Sequence, residues 1–212
     1  MKRCYIAGAS DFAAHTLPRE GDYIVAADGG YAALTARGFA PDLVVGDFDS
    51  LGAAPEHPNV VALPTEKDDT DLFAAVKLAL SRGCGEFIIN GALGGRLDHT
   101  LGGIHALAYA VNAGARGVLA GEGMNVTLVR GGQARFTAAA TGILSVFAYG
   151  GAARVSIAGM RYLAEELQLK PDVPRGVSNE FLGVPARVTA HEGLLLLTWS
   201  GEIYTTLEGY YD

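Results

Sequence analysis

Short apolar runs, each stopped by glycine, proline or a polar residue, recur along the first 130 residues. Cys4–Ala7 ends at Gly8, Tyr23–Ala27 at Asp28-Gly29-Gly30, and Leu43–Val45 at Gly46-Asp47. Val60–Leu63 ends at Pro64 and Phe87–Ile89 at Asn90-Gly91; Gly117–Ala120 and Val126–Val129 follow. Runs this short and this continuously apolar predict strands buried on both faces, as in a parallel sheet. Between them the period changes. Leu72, Phe73, Val76, Ala79 and Leu80 share one face of a predicted helix that ends at Gly83. Leu101, Ile104, Leu107, Ala108 and Val111 share a face of another, ending near Gly114. Strands alternating with helices predict an α/β domain with right-handed crossovers.

From about residue 131 the helical pattern disappears. Gln133–Thr137, Gly142–Ala148, Arg154–Ile157, Val184–Thr189 and Leu194–Trp199 read as strands punctuated by Gly150-Gly151, Gly159, Gly183 and Gly193. This predicts a small antiparallel β domain, a sandwich or partial barrel. The expected division is therefore 1–130 and 131–212.

Composition narrows the function classes. Of 212 residues, 50% are hydrophobic and 18% charged, too apolar and too weakly charged for a disordered chain. The net charge of −7 and pI near 5.2 argue against a nucleic-acid partner, which asks for a basic surface. An acidic protein still binds phosphates through metal ions and backbone N–H groups. Cys4 and Cys84 form no CxxC pair, which points to reduced thiols and a cytoplasmic setting. Neither a secretory h-region nor an apolar run of about 20 residues occurs, so no membrane association is expected.

The chemistry-bearing residues gather where predicted strands end, which is where open α/β sheets bind ligands. Four clusters fall there: Asp28-Gly29-Gly30, Gly46-Asp47-Phe48-Asp49-Ser50, Lys67-Asp68-Asp69-Thr70-Asp71, and Gly91–Gly95 running into Arg96-Leu97-Asp98-His99. Each has a plainer reading. Asp28-Gly29-Gly30 makes a turn. Asp47 and Asp49, two residues apart and facing the same way in an extended turn, also suit a helix cap with a solvated acid. Acids at a helix start gain about 0.3–1 kcal/mol each from its dipole. That accounts for one or two of Asp68, Asp69 and Asp71, not for three beside Asp47 and Asp49. Gly91–Gly95 matches neither nucleotide-loop fingerprint and reads equally as a packing turn or an anion cradle. Asp98 reads as an N-cap, and His99 and His105 as ordinary helix histidines. Gathered together, so many carboxylates repel unless a cation lies among them. Oxygen ligands select a hard divalent ion such as Mg²⁺.

Taken in order and spacing, the clusters resemble the thiamine pyrophosphokinase family. Its DGG, GDxDS, KDxTD-type and GxxGGRxDH segments stand here as Asp28–Gly30, GDFDS at 46–50, KDDTD at 67–71 and GALGGRLDHTL at 91–101. A Ser-Asn in the β domain stands as Ser178-Asn179, preceded by Gly159–Leu163. The resemblance implies a Rossmann-like N-terminal α/β domain with a mostly parallel sheet that binds ATP. It implies a C-terminal antiparallel β-sandwich that binds thiamine and dimerises. The implied reaction moves the diphosphoryl group of ATP to the hydroxyl of thiamine, giving thiamine diphosphate and AMP, in a homodimer with shared active sites.

On that resemblance Asp47, Asp49 and Asp71 are the expected Mg²⁺ ligands. Asp28, Gly29, Lys67, Asp68, Thr70, Gly94, Gly95 and Arg96 are expected at ATP, with backbone N–H groups of Gly91–Gly95 on its phosphates. Asp98, Ser178 and Asn179 are expected at thiamine. Asp71, Asp98 and Asp49 are the expected catalytic group, with either Asp98 or Asp71 orienting or deprotonating the attacking hydroxyl. Two alternatives stand beside this: a Mg²⁺-dependent phosphohydrolase, and a non-catalytic nucleotide or thiamine sensor on the same fold.

Overall fold

A computed structural model describes residues 1–49, 55–66 and 68–208. Its contacts divide the chain into two compact units, Met1–Glu122 and Gly123–Asp212.

In the first unit, strands β1 (Lys2–Ala7), β2 (Tyr23–Ala27), β3 (Leu43–Gly46), β4 (Val60–Ala62), β5 (Cys84–Asn90) and β6 (Arg116–Ala120) stand in the order β6-β5-β1-β2-β3-β4. Every neighbouring pair is parallel. The apolar runs fill the sheet centre: Tyr5, Ile6, Val25, Val44, Phe87 and Ile89 are all fully buried. Helices α1 (Gly30–Thr35), α2 (Asp71–Ser81) and α3 (Leu97–Asn112) follow β2, β4 and β5, while β1–β2 and β3–β4 are joined without a helix among the described residues. The six-residue α1 is too short to show a helical period in the sequence.

The second unit is antiparallel throughout its pairs: β7 (Asn125–Phe136), β8 (Ile143–Ala148), β9 (Ala153–Ala158), β10 (Ala164–Leu169), β11 (Gly176–Glu180) and β12 (Ala186–Trp199), followed by α4 (Ile203–Thr206). Two boundaries differ from expectation. Val126–Val129 and Gln133–Thr137, read as separate strands on either side of 130, are one strand, β7. The Gly131-Gly132 pair within it sits where the β7–β12 register shifts, as at a bulge. The two strands read at 184–189 and 194–199 are likewise the single β12.

β12 pairs with β7 along one edge, and along the other with β9 over Arg187–Glu192 and with β8 over Leu195–Trp199. The change of partner falls at Gly193, whose φ is +75°, and where a Cβ would lie 2.4 Å from the Ala152 carbonyl oxygen. A bulged strand that changes neighbours is how a sheet turns a corner. In the core beside it, the Trp199 and Phe136 rings meet edge to face at 5.4 Å, and Trp199 Nε1 donates to Thr206 Oγ1 at 3.1 Å.

Candidate active site

The strand order of the first unit turns back on itself at β1. The chain winds outward through β2, β3 and β4, then returns to lay β5 on the other side of β1. A crevice outside the carboxyl ends of β1 and β5 follows from that reversal. A cleft of about 410 Å³ opens there, reached by Gly8 from β1, Asp28 from β2 and Gly91 from β5. Its floor is backbone. Gly8 N donates to Asn90 O at 2.7 Å and Ser10 N to Gly91 O at 2.8 Å. A Cβ on Gly8 would come within 2.4 Å of Gly91 O, and one on Gly91 within 2.5 Å of Gly8 O, so neither position accepts a side chain.

Beside the cleft, Asp28, Asp47 and Asp49 each bring a carboxylate oxygen within 4.8 Å of the others. Asp28 follows β2 with φ +46°, and its N–H donates to Val45 O at 2.8 Å, which ties the end of β2 to β3. Asp and Asn tolerate that left-handed backbone better than other non-glycine residues. Asp47 and Asp49 follow β3, separated by Phe48 at φ +57°. Phe48 is only 3% exposed, so burial of its ring, about 1.5–3 kcal/mol, offsets strain of similar size. The expected extended turn is thus a left-handed one, and Asp49 N donates back to Asp47 Oδ1 at 3.4 Å. Three convergent carboxylates repel one another and offer only oxygen, a donor set that fits a hard divalent cation.

Asp71, expected as a metal ligand with Asp47 and Asp49, is not one of these three convergent carboxylates. The reason is local: Thr70 caps α2, its Oγ1 accepting from Phe73 N at 3.2 Å, which makes Asp71 the first helical residue, on the wall of the cleft. Thr70 lines the same wall. Asp69 is drawn away by an ion pair with Lys77, and Asp68 is exposed. Lys67 lies outside the described residues.

Arg96 and Asp98 also line the cleft and stand together. Arg96 Nε and Nη2 donate to the two Asp98 oxygens at 3.1 and 2.5 Å. This bond holds the Asp98 carboxyl below the usual carboxylate range. Asp98 is therefore paired rather than capping: the residue before α3 is Arg96, which makes no side-chain cap. Gly94 and Gly95, both at positive φ, lead into this pair, and Asp11 Oδ2 would lie 2.5 Å from a Cβ on Gly94. The Gly91 N–H, expected on phosphate, instead donates to Asn90 Oδ1 at 2.8 Å.

Residues 14–119, half of the chain, match the family model described as thiamin pyrophosphokinase, catalytic domain. The chain belongs to the thiamin pyrophosphokinase family. Membership makes it an enzyme of ATP-dependent diphosphoryl transfer to thiamine and does not favour a phosphohydrolase or a sensor. The fold agrees across nearly the whole chain. A thiamine pyrophosphokinase structure from Bacillus subtilis is 23% identical, has a TM-score of 0.83, and aligns over 95% of this chain and 100% of that one. A thiamin pyrophosphokinase family protein from Enterococcus faecalis gives 24% and 0.80 over the same shares. The thiamin pyrophosphokinase from Candida albicans gives 14% and 0.75 over 94% of this chain and 89% of its own. No curated protein sequence matches.

Of the two residues that the family pattern places in the second unit, only one presents its side chain. Ser178 is exposed at φ +62°. Asn179 is 5% exposed, and its amide grips the Tyr162 peptide: Tyr162 N donates to Oδ1 at 2.9 Å, and Nδ2 donates to Tyr162 O at 2.7 Å. Asn179 thus holds the Gly159–Leu163 segment in place. Gly29 sits before α1, half-buried, with a Cβ position 3.1 Å from that of Ala9. Sequence reasoning missed the Gly8–Ser10 stretch of the cleft and the buried Asn90 beneath it. The signal was present in the polar Asn90-Gly91 step that closes an apolar strand.

Proposed function

We propose that the cleft at the β1/β5 reversal transfers the diphosphoryl group, with ATP along the Gly94-Gly95-Arg96 wall and the thiamine hydroxyl opposite. The observation that carries this is the meeting of Asp28, Asp47 and Asp49 beside a cleft that is lined by Asp71, Arg96 and Asp98. Asp28, Asp47 and Asp49 would hold Mg²⁺, which when bound neutralises charge on the phosphate oxygens. Arg96 binds phosphate by its planar fork. The thiamine oxygen attacks the β-phosphorus, and the bond from that phosphorus to the α-phosphate oxygen breaks to release AMP. Asp98, paired with Arg96, orients the hydroxyl, and Asp71 takes its proton.

Asp68, Thr70 and Gly29 belong to the nucleotide side of this reading. Ser178 meets the aminopyrimidine of thiamine, with Asn179 shaping the loop beside it. The separation of Ser178 from the carboxylates along the chain supports a homodimer that shares its sites, and the corner in β12 supports a sandwich built on a Rossmann-like first unit. Buried free Cys4 and Cys84 support a reducing, cytoplasmic setting. Among the described residues no helix is long and apolar enough to cross a membrane. The test is product analysis with ATP labelled at the β-phosphate. Label passing to thiamine diphosphate with an equal amount of unlabelled AMP is expected; ADP with thiamine monophosphate overturns the reading.

A further inference from the structure

We infer that Asn90 is a positioning residue for ATP, acting through the backbone that floors the cleft. This rests on the reading of the cleft as the nucleotide site. Asn90 closes β5 and is fully buried. Its Oδ1 accepts from Ala13 N and from Gly91 N, each at 2.8 Å. Its Nδ2 lies 2.9 Å from Ala13 O, 2.8 Å from Thr16 O and 2.9 Å from Tyr5 Oη, which itself donates to Thr16 O at 2.7 Å.

One side chain therefore does what a paired strand would do. It meets both the N–H and the C=O of Ala13, so the far end of the irregular Gly8–Thr16 stretch is pinned by this amide, while backbone bonds from Gly8 N and Ser10 N hold its near end. The same oxygen turns the Gly91 N–H inward, and the Gly91 carbonyl then receives Ser10 N. Gly8, Ala9, Ser10 and Gly91 all line the cleft. Donors and dipoles aimed at a transferring phosphate act only as well as they are held in advance. Here the holding group is a buried, neutral amide with partners on both its ends, which costs no charge burial.

The test separates positioning from bulk stability. Asn90→Ala removes the amide, while Tyr5→Phe removes a hydroxyl of the same network without touching Gly91. Both should lower Tm. Below both transitions, Asn90→Ala should lower kcat/KM for ATP about 10²-fold, through KM for ATP, and leave KM for thiamine unchanged. Tyr5→Phe should leave both KM values unchanged. Equal KM values in wild type and Asn90→Ala overturn the inference, as does a rise for thiamine instead. Calorimetric binding of a non-hydrolysable ATP analogue asks the same without turnover, so a wild type that makes no AMP sinks the proposed function while this question is still answered. Should Asn90→Ala fail to fold, amide exchange in the wild type decides. Slow exchange at Gly91 and Ala13 with nucleotide-induced shifts at Gly8–Ser10 is expected; fast exchange there, or shifts confined to other segments, overturns the inference.

Discussion

Arg96 and Asp98 meet through two hydrogen bonds in the lining of the cleft, though both side chains are largely exposed. An exposed pair of this kind is weak and easily exchanged for another partner. It leaves its mark on titration instead. Arg96 depresses the Asp98 carboxyl, so the pair is present at neutral pH and is lost as pH falls through that depressed value. Arg96→Ala should return the Asp98 carboxyl to its ordinary range, read by NMR titration of its side-chain carbon. The same variant should raise KM for ATP, because a phosphate partner is lost.

Removing divalent cations with EDTA should abolish activity and added Mg²⁺ should restore it. Asp28→Asn is the cleanest probe of the cluster, because asparagine accepts the left-handed backbone that Asp28 adopts. It should lower kcat on the order of 10²-fold or more and weaken Mg²⁺ binding. Asp71→Asn should lower kcat too, while leaving calorimetric Mg²⁺ affinity in place, since Asp71 lies outside the cluster.

Thr70→Ala should destabilise the chain by about 1 kcal/mol through loss of the α2 cap. For a chain of this size that corresponds to a fall in Tm of roughly 2–4 °C. Thr70→Ser should restore it. Thermal denaturation of the three proteins side by side makes the comparison.

Shared sites can be tested by subunit exchange. Ser178→Gly removes the hydroxymethyl side chain without backbone strain, because glycine adopts φ +62° freely. Mixed with Asp71→Asn under conditions that exchange subunits, it should yield hybrid dimers with one intact site each and a partial return of activity. Demonstrated exchange without recovery counts against sharing, as does a monomer that is fully active.

What could be read from the chain follows from where burial is decisive. β2 matches the expected Tyr23–Ala27, and α2 contains the expected Leu72–Leu80 face and stops two residues before Gly83, because apolar residues there have one place to go. β10 and β11 went unread: Ala164–Leu169 and Gly176–Glu180 are strands with one buried residue and one partner strand each, and their alternation carries little hydrophobic contrast. In the site, residue type announced the carboxylates, but which three converge depends on backbone angles. Phe48 at a left-handed angle is invisible to pattern, and it is what folds Asp49 back toward Asp47. Asn90 escaped for a related reason. A buried amide that stands in for a strand shows in sequence only as a polar residue at the end of an apolar run.

Trp199 is the only tryptophan of the chain, and it is sealed in the core of the second unit against Phe136. The protein thereby carries a fluorophore that is local by construction. Its emission follows melting of the second unit and stays silent about the first, where the cleft lies. Circular dichroism, dominated by α2 and α3, reports the first. If the two units unfold apart, these signals separate along a denaturant series; if they unfold together, the curves superimpose.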